Sequence, residues 1–587
     1  MRHPSRTTTM ITTTIMTTTK TTAPTTQRTR RAAAAAGAAL LALTTLSSTG
    51  AAAASAHDSR GHDGDHSNHH SNNHHSDQRL APRTHFTMRD DGSSGSTQGG
   101  EGIPNIDSVK KTIYAYYGDP AGTGAANTTS SPYISQIASI LAKQRRELPH
   151  LLADARRHHT RPAIVFDADD TTLWTYPMEV GDMKFVFTPA AQQPWVDGER
   201  FPAVPGMVDF VNDAQAMGFT VFGLTGRSNS QKAHTVSNLA KVGYGAFTAD
   251  HFFTKFDSGT TPPAYLPAAW CSAYPKCTTV EYKAGTRRHI EQDLGYDVVL
   301  NVGDQFSDLQ GGFADKALKL PNPTYYLPSP NLPGVSEPRL APRTRFTMAP
   351  DGSSGRTQGG EGIPNIDVVK KTIAVYYGDT GTGTSDKTSS PYISEMTHLV
   401  GRRSHRLLQQ CATGARRGEK PAIVLDADDT TLWTYDMEVS SMHFVFDPIV
   451  QDQQWVQPQR FPATPAMVSF ANAASSAGCT IVGLTGRNST QRDATLGNLA
   501  KVGYTGFTAA NYYTKWTSAE QPPSYVTAAD CVAYPKCTTI EYKSTTRRHV
   551  VDQGYDVIAN FGDQFSDLIG GSAERAVKLP NPTYYLP

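Results

Sequence analysis

A surplus of charge of either sign is what this chain most lacks. Over 587 residues, 54 Lys plus Arg face 53 Asp plus Glu, so no global field is available to hold a nucleic acid polymer or an acidic membrane. Long apolar runs are also missing beyond the first 56 residues, which leaves the mature protein without a spanning segment. Cysteine is scarce, at 6. No His or Cys partners lie near the CxxxxxC pairs in the spacing that zinc needs, so the cysteines read as disulfides of an oxidising compartment. Cys271 and Cys277 return as Cys531 and Cys537 in WCSAYPKCTT and DCVAYPKCTT, which predicts one loop disulfide in each context. Cys411 and Cys479 have no counterparts elsewhere; they either pair or form a free core pair.

Residues 1–56 read as a secretory signal: Arg28, Arg30 and Arg31 precede the small apolar stretch from Ala32 to Leu43, and Ala54-Ser55-Ala56 offers a cleavage site. The paired Arg30-Arg31 also admits the twin-arginine route. Residues 57–78, HDSRGHDGDHSNHHSNNHHSDQ, hold almost nothing to bury and are expected to be disordered. Their clustered imidazoles are of a kind that binds Zn, Ni or Cu, although a solvated linker is the simpler reading.

The rest is written twice. RLAPRTHFTM at Arg79 returns as RLAPRTRFTM at Arg339, and LPNPTYYLP closes both copies, at Pro328 and Pro587. This gives domains at 79–328 and 339–587, joined by the Pro-containing spacer 329–338. In the first copy the apolar pattern alternates: a helix over ISQIASILAKQRRELPHLLADARR, a strand AIVFD, a helix closed by Gly218, a strand FTVFGLTG, helices over SQKAHTVSNLAKVG and KAGTRRHIEQDLG, and a strand YDVVLNVGD. Such alternation predicts an α/β fold with a doubly wound, mainly parallel sheet and with reactive groups at the carboxyl ends of its strands.

Four polar clusters fall at strand ends or on the helix between them: Asp167 to Thr172 (DADDTT), Leu224 to Arg227 (LTGR), Lys283, and Gly303 to Asp308 (GDQFSD). The same set stands at Asp426 to Thr431, Leu484 to Arg487, Lys543 and Gly562 to Asp567. In this order, DxDxT, Thr, Lys and GDxxxD resemble the four motifs of the haloacid dehalogenase superfamily, and their forms resemble its secreted acid phosphatases, which include bacterial class B enzymes and plant vegetative storage proteins. The match covers most of each copy from Ala163 or Ala422 onward.

That resemblance implies two tandem domains of the superfamily's Rossmann-like fold, each with a small insert over the site, and a Mg²⁺-dependent hydrolysis of phosphomonoesters such as nucleotides, aryl phosphates or sugar phosphates. It implies that Asp167 is the nucleophile and a metal ligand, and that Asp169 is the acid/base, its backbone carbonyl also on the metal. Thr225, the Gly226 amide and Lys283 would bind phosphate, with Asp304 and Asp308 at the metal. The second copy carries the same roles to Asp426, Asp428, Thr485, Gly486, Lys543, Asp563 and Asp567. A metal explains why carboxylates crowd at a strand end where they should repel. Arg227 either touches phosphate or braces the loop, and Asp170 and Asp429 are read as hydrogen-bonding support.

Between the first two motifs, Trp174, Tyr176, Phe185, Phe187 and Trp195 either stack a planar leaving group or belong to the core. The segment is too short for a large cap, so an open, tolerant site is expected. Two alternatives differ in class: phosphotransfer to an alcohol, and a non-catalytic storage or metal/phosphate-binding protein on the same scaffold. Both copies keep the first Asp, which argues against the latter.

Overall fold

The computed structural model describes residues 105–337, 340, 363 and 365–586, together with the backbone of 85–88, 95–97, 345–348 and 355–357. The expected signal, His-rich stretch and first residues of each domain lie outside the described residues.

Each copy builds a five-stranded parallel sheet. In the first, β3 (Pro162–Phe166), β4 (Thr220–Ser228), β5 (Phe252–Lys255), β6 (Asp297–Gly303) and β7 (Ala317–Lys319) lie in the order β5-β4-β3-β6-β7. The chain enters at the centre, runs outward through β4 and β5, then returns to the other side of β3. The order therefore reverses at β3, and the crevice beyond its carboxyl end is where such sheets bind ligands. Ala163 to Phe166 are all buried, because helices cover both faces. One face packs Ile164, Phe166 and Val302, and the other Val165, Leu224, Tyr282 and Val298.

Local chemistry explains the helix ends. Ser131 caps Pro132–His158 by accepting from Ile134 N at 3.2 Å, and Gly218, at φ 107°, ends Met207–Met217. The helix Thr279–Gln292 begins earlier than KAGTRR suggests, because Thr278 and Glu281 form a capping box. The second copy repeats this plan with β10 (Pro421–Leu425), β11 (Thr480–Asn488), β12 (Tyr512–Lys515), β13 (Asp556–Gly562) and β14 (Ala576–Lys578) in the order β12-β11-β10-β13-β14. The loop disulfides form as expected, and Cys411 and Cys479 are also joined.

The N-terminal segments interlock the copies, which the sequence did not suggest. β1 (His85–Met88) and β8 (Arg345–Met348) pair antiparallel about Phe86 and Phe346, and β2 (Gly95–Thr97) and β9 (Gly355–Thr357) flank them. The helix Ile106–Tyr116 meets the other copy's terminal LPNPTYYLP. Its cap residue Asn105 accepts from Asp107 N at 2.9 Å while donating to Asn581 O at 3.1 Å and to Tyr584 O, and Ile106 N donates to Pro582 O at 2.8 Å. The helix Ile366–Tyr376 does the same in reverse, with Asn365 Nδ2 donating to Asn322 O at 3.0 Å and to Tyr325 O, and Ile366 N to Pro323 O at 2.8 Å. Asp107 Oδ2 accepts from Tyr585 N at 3.1 Å, and Asp367 Oδ2 from Tyr326 N at 3.0 Å. These reciprocal bonds relate the two repeats by an approximate local twofold.

Candidate active site

The loop leaving β3 folds around its carboxylates. Asp167 N donates to Val302 O at 3.0 Å, and Thr172 Oγ1 closes back on Asp167 O at 3.0 Å. Asp170 sits at φ 47°, a left-handed conformation that Asp tolerates better than most residues. Its carboxylate accepts from Thr175 N at 3.0 Å, from Thr175 Oγ1 at 2.5 Å and from Asn322 Nδ2 at 3.2 Å. The third aspartate of DADD therefore holds the turn.

Asp167, Asp304 and Asp308 come together, with one carboxylate oxygen from each lying within 4.8 Å of the others. Lys283 Nζ bridges two of them, 2.7 Å from Asp167 Oδ1 and 2.6 Å from Asp308 Oδ1. Gln305 Nε2 and Asn322 Nδ2 each donate to Asp304 Oδ2 at 2.7 Å, and Thr171 Oγ1 to Oδ1 at 3.3 Å. Gly303 is required here: a Cβ on it would lie 2.5 Å from that of Asp308.

Three buried carboxylates against one ammonium leave negative charge uncompensated. Burial, opposed by Lys283 but reinforced by Asp308 and Asp304, drives the Asp167 carboxyl well above its usual range. Burial and Asp308 push Asp304 up to about 6, and burial with Asp304 pushes Asp170 up to about 8. Burial works against the Lys283 ammonium, but Asp167 and Asp308 outweigh it and hold the proton. Hard oxygen donors with a charge deficit are what a divalent cation of the Mg²⁺ type takes, so the residues fit such a group.

Arg227 forks onto Asp169, with Nη2 at 2.6 Å from Oδ1 and Nε at 3.1 Å from Oδ2, while Nη1 donates to Thr235 Oγ1 at 3.1 Å. It is a brace on Asp169, its guanidinium lying over the Phe201 ring. Thr225 Oγ1 accepts from Arg227 N at 3.2 Å, which leaves its own proton to donate. Gly226 is exposed between buried neighbours, and a Cβ there would meet nothing within 4 Å.

The second copy reproduces the set. Lys543 Nζ lies 2.7 Å from Asp426 and 2.5 Å from Asp567, Arg487 Nη2 lies 2.5 Å from Asp428, and Asn581 Nδ2 lies 2.7 Å from Asp563. Asp426, Asp563 and Asp567 form the matching acidic group. Burial raises Asp426 well above its usual range, and raises Asp429 and Asp563 to about 7 each, with Asp567 contributing to the last. A cavity of about 750 Å³ opens onto Asp426, Asp428, Thr485, Gly486, Lys543 and Asp567.

Sequence reasoning missed Asn322 and Asn581, Gln305 and Gln564, and Arg287. The fully buried Arg287 donates to the carbonyls of Asp308 at 2.6 Å and Gly312 at 2.9 Å, fixing the loop that carries Asp308. The exact return of LPNPTYYLP was the available signal for the asparagines. Of the five aromatics, Trp174, Tyr176 and Trp195 are core side chains, Phe185 is buried, and Phe187 is 52% exposed.

These two floors belong to one class, an α/β fold with an Asp-Lys-Asp cluster at the sheet's switch point. The family model described as HAD superfamily, subfamily IIIB (acid phosphatase) matches residues 127–328 and again 384–587, and the chain belongs to that family. It is 33% identical over 173 residues to the stem 28 kDa glycoprotein of Glycine max, covering 29% of this chain and 61% of the relative. To acid phosphatase 1 of Solanum lycopersicum it is 30% identical over 171 residues, covering 28% of this chain and 60% of that protein. Vegetative storage protein 1 of Arabidopsis thaliana is 27% identical over 230 residues, 39% of this chain and 75% of its own. The chain thus spans about three fifths of the length of the first two relatives. Among the described residues, no helix is long and apolar enough to cross a membrane.

Proposed function

We propose that the chain is an exported acid phosphatase that depends on a divalent metal and hydrolyses phosphomonoesters at two similar sites, one in 79–328 and one in 339–587. The observation that carries this reading is the convergence, twice, of motifs spread along the chain into one hydrogen-bonded floor: the Lys reaches back 116 or 117 residues to the first Asp and onward to the last, and the Arg reaches the second Asp across 58 or 59.

Asp167, or Asp426 in the second site, attacks phosphorus. The ester P–O bond breaks as the aspartyl-phosphate bond forms, and Asp169 or Asp428 gives its proton to the leaving alkoxide. Water then attacks the same phosphorus and passes a proton to that second aspartate; the acyl-phosphate bond breaks and inorganic phosphate leaves. Arg227 and Arg487 aim the acid/base carboxylate, whose direction would otherwise wander. The Thr225 or Thr485 hydroxyl and the Gly226 or Gly486 amide donate to the phosphoryl oxygens, and Lys283 or Lys543 offsets their charge. Asp167, Asp304, Asp308 and the Asp169 carbonyl, with their counterparts, would hold Mg²⁺, which when bound supplies the positive charge that lets two anions meet.

Nucleotides, aryl phosphates and sugar phosphates are the substrate classes in view. The test is release of phosphate from an aryl phosphate and a nucleotide, with Mg²⁺, after EDTA, and with ethanol added. Hydrolysis that EDTA stops and Mg²⁺ restores is the expected result. No release under any of these conditions contradicts the reading, and accumulation of ethyl phosphate replaces hydrolysis with phosphotransfer.

A further inference from the structure

Part of the wall of the second cavity is made by the first repeat. Lys110, Lys111, Tyr114, Lys184 and Phe185, all from the first repeat, line the space whose floor is Asp426, Asp428 and Lys543. The crossing is fixed by bonds already described, with Asn105 and Asp107 clamped on the segment 581–585, and by Lys110 Nζ, which donates to Phe444 O. It is also reciprocal. Lys370 Nζ donates to Phe185 O, and Asp367, Lys370 and His443 share a pocket of about 230 Å³ with Glu179 and Tyr325 of the first repeat.

Within that wall, Tyr114 and Phe185 form a stacked pair, with centroids 5.9 Å apart and planes at 21°. Gly122, at φ 65°, packs directly on the Tyr114 ring; a Cβ there would lie 2.4 Å from it. The ring is therefore seated by its own repeat and presented to the other. Phe444 and the 63% exposed Phe446 stand on the same cavity. At the positions equivalent to Tyr114 and Lys184, the second repeat has Ala374 and His443. It offers no such aromatic pair to the first site.

We propose that substrate choice is crossed between the repeats: Tyr114, stacked on Phe185 in the first repeat, selects planar aromatic leaving groups for the Asp426 site, and the Asp167 site lacks this selection because the position equivalent to Tyr114 is Ala374. This rests on the phosphatase reading. An aromatic face adds roughly 0.5–1.5 kcal/mol to the holding of another ring, which is about two- to tenfold in affinity. Lys184 adds positive charge at the same mouth, suiting an anionic ester on approach.

The test keeps the full chain and isolates each site, with Asp167→Asn leaving the Asp426 site and Asp426→Asn leaving the Asp167 site. Tyr114→Ala and Tyr114→Phe are added to each background, and kcat and KM are measured for phenyl phosphate and glycerol phosphate. In the Asp167→Asn background, Tyr114→Ala is expected to raise KM for phenyl phosphate about two- to tenfold and leave glycerol phosphate unchanged, while Tyr114→Phe behaves as the parent. In the Asp426→Asn background neither change has an effect, and Ala374→Tyr lowers KM for phenyl phosphate. An effect of Tyr114→Ala on the Asp167 site, or on neither site, overturns the proposal while leaving the phosphatase reading intact. A chain that hydrolyses neither ester contradicts the phosphatase reading. Calorimetry with phenylphosphonate and methylphosphonate then decides the crossing, and equal loss or no loss of affinity for the two on Tyr114→Ala overturns it.

Discussion

In the first repeat Lys283 stands 2.7 and 2.6 Å from Asp167 and Asp308, and in the second Lys543 stands 2.7 and 2.5 Å from Asp426 and Asp567. Arg227 and Arg487 reach Asp169 and Asp428 at 2.6 and 2.5 Å. The floors are thus nearly superimposable, and the residues that the first repeat puts on the wall of the second site are not repeated: Tyr114 and Lys184 correspond to Ala374 and His443. Chemistry explains the division. Phosphoryl transfer needs its donors and charges held to within a fraction of an ångström, whereas a wall that touches only the leaving group is free to differ. The duplicated chain has kept the first and varied the second.

The sharpest way to break the likeness of the floors is to remove the ammonium from one of them. Lys283→Met is expected to lower turnover at the Asp167 site about a hundredfold or more, measured in the Asp426→Asn background, and to leave the Asp426 site untouched. Lys543→Met should give the mirror result. Equal loss at both sites from one substitution would mean that the floors are not independent.

Stability distinguishes the copies at a single bond. Cys411, on the helix Pro391–Arg416, is joined to Cys479 at the mouth of β11, whereas the first repeat has Leu152 and Phe219 there. Replacing both cysteines with Ala is expected to cost the second repeat about 2–4 kcal/mol. Hydrogen exchange should quicken in β10 to β14 and not in β3 to β7.

The smallest effect belongs to Glu179 and Glu438, buried carboxyls that burial, Asp170 or Asp429, and Asp367 or Asp107 from the other repeat raise well above the ordinary glutamate value of 4.5. The native state therefore keeps a proton that the unfolded chain loses, and stability falls as pH rises above about 4.5. Glu438→Gln removes that loss, so its Tm should exceed the parent's by a few degrees at pH 7 and match it at pH 4.

Much of this was legible in the sequence because the signals are local. The strand AIVF, the Gly218 stop and the four motifs each depend on a few neighbouring residues, and their order alone implied the doubly wound sheet. β5 and β7, of 4 and 3 residues, are too short to show a period. Asn322 sits 18 residues beyond the Asp304 that it holds, outside any motif, and only its identical return at Asn581 marked it. Arg227 could be read as ligand or brace until its fork onto Asp169 was seen. The wall over the second site was illegible for a different reason. Part of it comes from the first repeat, through a helix beginning at Ile106 that no pattern within one copy would direct across.

The central claim is that both floors are working aspartate-nucleophile sites. Its most direct test is phosphate release from phenyl phosphate with Mg²⁺ by the unaltered chain, Asp167→Asn, Asp426→Asn and the double variant. Each single change should remove part of the rate and the double change at least a thousandfold or so. A double variant as active as the unaltered chain would contradict the account.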